Sequence, residues 1–430
     1  MHKINLLIIF FVIFMSTCFS QGQVGSPYTR YSIGDINCQP LIRNNAMGGL
    51  SYTLISNNNI NFVNPAGIAN IDTLTFIFDF GLNGGVRTYS ILNPESSISK
   101  NDYQISYVNF GFAATKWWKL AIGVAPYSNV SYNISKKDSS LNNIVRTYNY
   151  NGSGGVSRVY WTNAFKPFKK INLKVGITTS FLFGEILHNN SAIFKPTNDV
   201  DNFSNFWVQD VFRVSSLNFE AGLQYDIKIN EKNTLLIGLV SNFNNNLRSF
   251  KSGIDYNKNS VSNVVDTIAV YNDKKGTISV PYNIGAGIGY VFNDRLYVGI
   301  DAKYQDWSKV NFFGQNDTLK NAYFLNTGLE YVPGGYNGNV YKYWQYMKFR
   351  LGGYFSQSYF KLNSEQYPIN DFGITFGLGF PMKRSKTSFD ISFKLGQRGS
   401  LQNNLIRERY IIAGVSFNLS DVWFVKSKFD

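Results

Sequence analysis

Residues 387–396 read Thr387-Ser388-Phe389-Asp390-Ile391-Ser392-Phe393-Lys394-Leu395-Gly396. Successive side chains of an extended chain point to opposite sides. Phe389, Ile391, Phe393 and Leu395 therefore share one face, and Ser388, Asp390, Ser392, Lys394 and Gly396 share the other. At 173–183, Leu173, Val175, Ile177, Thr179, Phe181 and Phe183 oppose Lys174, Gly176, Thr178, Ser180 and Leu182. At 284–292, Ile284, Ala286, Ile288, Tyr290 and Phe292 oppose Gly285, Gly287, Gly289 and Val291. At 374–380, Ile374, Phe376, Leu378 and Phe380 oppose Thr375, Gly377 and Gly379. A period of two repeated this often specifies β-strands.

A soluble sandwich also alternates, and three details separate the two cases. The polar face is rich in Gly, Ser, Thr and Asn, as a crowded barrel interior requires. Aromatic pairs stand near strand ends, at Trp117/Trp118, Tyr160/Trp161 and Tyr343/Trp344, as interfacial girdles do. Connections alternate between tight turns (Thr115–Trp118, Lys166–Lys170, Asn230–Asn233, Asn293–Arg295, Met382–Lys386) and longer polar loops at 136–153, 189–205, 251–276, 311–320 and 333–343. The expectation is an all-β transmembrane antiparallel barrel with short turns on the periplasmic side. Its strands lie near 73–91, 103–114, 118–135, 155–166, 171–188, 206–229, 233–250, 277–292, 295–310, 321–332, 344–362, 369–382, 386–398 and 405–420. That makes about fourteen. The segment 260–272 is also strand-like, as a hairpin within a loop.

Composition agrees. Aromatic residues are 17% of the 430-residue chain and charged residues only 16%, while mean hydropathy is -0.16. A helical membrane protein is far more apolar, whereas a barrel turns every second residue to a polar lumen. Residues 1–20 read as a signal peptide: Lys3, an apolar stretch from Ile4 to Met15, then Ser16–Ser20. A lipoprotein would carry its acyl chain on Cys18, but Thr17 fits that motif poorly. Removal of residues 1–20 takes away Lys3 and no acid, which lowers the formal charge from +14 to +13. The remaining charge is scattered and forms no dense Lys/Arg tract, which fits contacts with outer-membrane lipid headgroups and argues against nucleic acid.

The same cut leaves Cys38 and His188 as the only cysteine and histidine. There is no basis for a disulfide framework, a metal site or a cofactor site. A hydrolase would have to pair His188 with Ser180 or Ser191, and His188 falls where a strand enters a loop. No enzyme is expected and no catalytic residue is assigned.

Residues 21–72 do not alternate; Gly, Pro and Asn give them the look of a compact plug. They contain Ala46-Met47-Gly48-Gly49-Leu50, a polar run from Asn57 to Ile60, and Asn64-Pro65-Ala66-Gly67-Ile68-Ala69. Asn64 can cap a short helical turn that begins at Pro65. This pattern resembles the N-terminal hatch of the FadL/TodX outer-membrane transporters, and Ser26–Asp35 resembles the start of a divergent subgroup. The terminal run Gly414–Leu419 resembles the β-signal of assembled barrels.

The resemblance implies a hatch over 21–72 inside a barrel over 73–420, a short tail over 421–430, and the outer membrane of a Gram-negative bacterium. It also implies passive uptake of hydrophobic small molecules, of the long-chain fatty acid or aromatic hydrocarbon class. The alternative is a non-transporting barrel that binds protein partners as a secretion or surface-assembly component. Within the hatch motif the resemblance singles out Gly48, Gly49, Asn64, Pro65, Ala66 and Gly67. Pro126, which removes a ladder hydrogen bond, is the candidate lateral gate. Tyr28, Tyr31, Phe62 and Phe206 are candidate contacts for a hydrophobic ligand.

Overall fold

The structure is a computed structural model that describes residues 25–36, 41–92, 94–141, 144–168, 170–196, 204–243, 246–259, 264–314, 319–336, 342–359, 369–382, 385–402 and 405–422. The leader, both cysteines and residues 423–430 of the expected tail lie outside these residues.

Fourteen wall strands close on themselves. They are β1 (Thr75–Ile91), β2 (Ser96–Ala113), β3 (Trp118–Asn129, continuing as Tyr132–Leu141), β4 (Ile144–Phe165), β5 (Leu173–Pro196), β6 (Ser204–Lys228) and β7 (Thr234–Asn242, continuing as Asn246–Asn259). They go on as β8 (Val265–Ser279, continuing as Tyr282–Phe292), β9 (Leu296–Asp306), β10 (Ala322–Tyr331), β11 (Lys348–Gln357), β12 (Asn370–Pro381), β13 (Ser388–Arg398) and β14 (Arg407–Val422). Each pairs antiparallel with the next, and β14 closes on β1 from Arg407↔Ser90 to Val422↔Thr75. Closure leaves the sheet with no free first or last strand, as a sheet that spans a membrane requires. No helix of the described residues is long and apolar enough to cross a membrane.

The burial pattern is inverted relative to a soluble protein. In β9, Val298 and Ile300 are exposed while Tyr297, Asp301 and Gln305 are buried; in β14, Ile411, Val415 and Leu419 are exposed while Glu408, Ser416 and Asn418 are buried. Apolar side chains face lipid and polar ones face the lumen. Asn293 and Asp294, both at φ 55°, make the tight β8–β9 turn, which suits the twist of a two-residue hairpin.

Three stretches expected as loops are mostly strand. Segments 136–153, 189–205 and 251–276 extend β3–β8 well past their neighbours on the long-loop side. They were missed because sheet in water on both faces has no apolar side to reveal its period.

Residues 41–72 fill the lumen at the turn side. The motif Gly48–Gly49 has φ of 69° and 93°. A Cβ on Gly48 would lie 2.3 Å from the Gly353 carbonyl oxygen of the wall, so glycine is required both by conformation and by contact.

Candidate functional site

Pro65–Asn70 forms a 3₁₀ turn. The Asn64 Oδ1 accepts from Ala66 N at 3.1 Å, and its amide donates to the carbonyls of Tyr52 at 2.6 Å and Leu223 at 3.2 Å. The motif thus caps its own turn and ties two parts of the plug to β6. The wall accommodates it with glycine: a Cβ on Gly222 would stand 2.1 Å from Asn64 Oδ1, and one on Gly176 would stand 2.2 Å from the Pro65 carbonyl carbon.

Deeper in the plug a buried charge network fixes it to the wall. Arg43, from the short α-helix Ile42–Asn45, meets Glu330 of β10 at 3.5 Å and donates to Asn59 at 3.0 Å. Glu330 also accepts from Arg350 of β11 at 2.6 Å and from the Tyr336 hydroxyl at 3.1 Å, while Arg350 reaches Asp390 of β13 at 2.5 Å. On the neighbouring strand β9, Asp301 accepts from the backbone N–H groups of Ser51 at 2.7 Å and Tyr52 at 3.0 Å.

The long-loop mouth is closed by a second device. Residues 25–36 form a strap beneath it. Tyr28 donates to the Ile406 carbonyl at 2.5 Å, Tyr359 donates to the Gly34 carbonyl at 2.6 Å, and Arg398 grips Asp35 at 2.6 and 2.9 Å. Burial, with the Glu408 carboxylate adding to it, pushes the Tyr28 phenol well above its ordinary range. Around the strap, Ile33 packs with Tyr127, Val130, Tyr132, Phe212, Phe312 and Phe313. On its other side Tyr28 and Tyr31 pack with Trp307, Val310 and Tyr359.

Between plug and strap lies a cavity of about 330 Å³. Gly48, Gly49 and Pro65 of the hatch motif reach it, but its character is set by Asp35, Arg158, Glu220, Asp371, Lys394 and Arg398. Of the aromatic residues expected to contact a ligand, Tyr28 and Tyr31 lie in the mouth cluster. Phe62 is buried between Tyr107 and Tyr160 under the Arg158 guanidinium. Phe206 stands exposed on the extension of β6 rather than in a plug or loop. His188 shares a 2.6 Å hydrogen bond with the Tyr132 hydroxyl, and among the described residues it bonds to neither Ser180 nor Ser191.

The wall is interrupted at β3. Its pairs with β2 run only from Val108↔Val124 to Ala113↔Lys119. Past that point β3 pairs on the same side with the strap, Asp35↔Asn129 and Ile36↔Ser128. Pro126 sits at the turn inward: its pairing with β4 slips between Pro126 and Ser128. β2 itself stays in the wall, because its ladder with β1 continues to Ile91↔Ser96.

A family model described as BamG matches residues 1–430. The chain belongs to the BamG family. No curated protein matches it by sequence. Among solved structures, the toluene transporter TodX of P. putida is similar at 13% identity, covering 93% of this chain and 100% of that one, with a TM-score of 0.58. A FadL homologue from Pseudomonas aeruginosa is similar at 12% identity, covering 93% and 99%, with a TM-score of 0.55. The CymD monoaromatic hydrocarbon channel covers 90% and 99% at 13% identity, with a TM-score of 0.56. The BamG chain is thus a divergent barrel of the FadL/TodX type, and the resemblance noted in its hatch extends to the whole fold.

The charge network and the strap contacts escaped the sequence reading. Their one visible trace is the lone charges, such as Glu330 and Asp390, on strand faces otherwise made of small polar residues.

Proposed function

We propose that this BamG chain is an outer-membrane channel of a Gram-negative bacterium for hydrophobic small molecules, which leave sideways through the wall between β2 and β3. The break in the ladder at Val108↔Val124 carries this reading. The paired stretch below it, six residues on each strand, spans about 20 Å of strand, or about 15 Å of height at a tilt near 40°. The gap therefore opens inside the apolar band of the membrane, about 25 Å tall. Exposed Ile98, Tyr103 and Ile105 border it on β2, and the apolar cluster at Tyr127, Val130 and Tyr132 backs it from within. A hydrophobe entering at the mouth reaches the gap through that cluster and bypasses the charged cavity. Pro126 is the gate residue, and no residue is given a catalytic role. The similar solved structures include a monoaromatic hydrocarbon channel and a toluene transporter, which supports the same reading.

The test pins the strap across the gap with Ile36→Cys and Ser128→Cys, neighbours in register, in a Cys38→Ser background. Uptake of a labelled long-chain fatty acid and of toluene is expected to fall on oxidation and to recover on reduction. Equal uptake with and without the disulfide, or in a strain that lacks the protein, sinks the proposal. A second reading, a barrel that binds protein partners without transporting, is favoured by the packed mouth. Under it the deletion strain takes up both compounds normally.

A further inference from the structure

The loop-side halves of β3–β8 stand together as a sheet beyond the rest of the barrel, and its last strand is Val265–Ser279 of β8. One side of this strand is paired with β7 throughout, from Asn246↔Ser279 to Lys258↔Val265. Among the described residues, the other side meets protein only at its root. There Ser279 donates to the Asn311 carbonyl at 2.8 Å, and Phe313 donates to that of Thr277 at 3.1 Å. From Val265 to Lys275 no described residue pairs with the outer edge, because β9 begins its ladder with β8 only at Tyr282↔Asp306. Val265, Ile268 and Val270 are 55%, 57% and 58% exposed. An apolar strand edge left open in water is what soluble sheet surfaces avoid by charge, proline or cover.

The charges along this edge are ordered. Asp273 is held by Arg213 at 2.5 Å. Among the described residues, Lys274 and Lys275 at the root and Asp266 at the tip have no ion pair. We propose that this edge receives an added β-strand from a different polypeptide exposed on the long-loop side of the membrane. That segment runs antiparallel to β8. It carries acids opposite Lys274 and Lys275, a base opposite Asp266, and β-branched or aromatic residues against Ile268 and Val270. Backbone hydrogen bonds supply the affinity, and the alternating side chains supply the choice of partner. A second copy of this chain does not fit. Two copies inserted the same way in one membrane present β8 in the same direction, so the edges would meet in parallel with like charges opposed. The inference holds whether or not the barrel transports.

Hydrogen–deuterium exchange tests it on the full chain, in isolated native outer membranes and in purified protein reconstituted into lipid vesicles. Amides of 265–275 are expected to exchange about tenfold or more slowly in native membranes. The double variant Ile268→Lys/Val270→Lys, at two exposed positions, is expected to abolish that difference while amides of 282–292 keep their protection, which shows that the barrel is folded. Equal exchange in the two preparations overturns the proposal. So does slow exchange that survives the double variant. A photo-cross-linker at position 268 that joins two copies of this chain overturns the assignment to a different polypeptide.

Discussion

Arg350→Met removes the centre of the plug's buried charge network. Arg350 donates to Glu330 at 2.6 Å and to Asp390 at 2.5 Å, and its side chain is 1% exposed. Without it, Asp390 loses its ion pair and Glu330 keeps Arg43 at 3.5 Å as its ion pair. Removing one partner of a buried pair costs about 3–5 kcal/mol, a factor of a hundred or more in the folding equilibrium at about 1.4 kcal/mol per tenfold. Arg43→Met should cost less, about 1–2 kcal/mol, because Glu330 retains Arg350 and the Tyr336 hydroxyl. The double variant Arg350→Met/Asp390→Asn removes the orphaned carboxylate along with the cation, leaves Glu330 paired with Arg43, and should recover part of the loss. Urea unfolding in phospholipid vesicles under reversible conditions, followed by tryptophan fluorescence, measures all three. If Arg350→Met is no worse than Arg43→Met, or if the double variant is as unstable as Arg350→Met alone, the network does not hold the plug as described.

Two further perturbations address the hatch motif and the strap. Gly222→Val pushes a side chain onto Asn64, where a Cβ already lies at 2.1 Å. It should cost about 1–3 kcal/mol and expose the plug to protease; Gly353→Ala, whose Cβ meets only the Gly373 carbonyl at 3.6 Å, should not. Tyr28 holds its proton in the folded chain beyond the point, near pH 10, where an unfolded tyrosine releases it. Stability therefore falls as pH rises above that point, since the unfolded state then binds fewer protons. Unfolding midpoints measured from pH 8 upward should show this added slope in the wild type and lack it in Tyr28→Phe.

What could be read in the sequence follows from where each element gains its stability. Lipid on one side and packed lumen on the other impose a period of two, so strands such as Ser388–Arg398 and Tyr282–Phe292 announce themselves. The Asn64–Pro65 cap was legible because it is local: the acceptor and the N–H it satisfies are two residues apart. The loop-side extensions were not, because water on both faces removes the pattern. The ion pairs were not legible either. Arg43 and Glu330 stand 287 residues apart, and only the closed barrel makes them neighbours. Tyr28 and Phe62, expected to contact a hydrophobic ligand, sit in packed clusters, and the cavity between plug and strap carries charged side chains among its lining.

The two ends of the lumen are closed by different physics, and the proposed gate lies at the end held by apolar contact. At the turn side, release of the plug requires separating Arg43 from Glu330 in a site without water, and lifting Ser51 and Tyr52 from Asp301. Each step leaves a buried charge or N–H without a partner and costs several kcal/mol. At the mouth, Ile33, Phe312 and Phe313 hold one another by apolar contact, and an apolar ligand replaces such contacts in kind, with little net cost in buried area. The Asp35–Arg398 pair ties down the strap's end and borders the cavity, where water can take over its hydrogen bonds. Under the proposed gating, a ligand that swaps apolar contacts at Ile33 has also to loosen this pair and the Tyr359–Gly34 hydrogen bond to free Ile36 from Ser128 and widen the gap. The fixed plug then forces any outward path through the wall rather than through the base of the barrel.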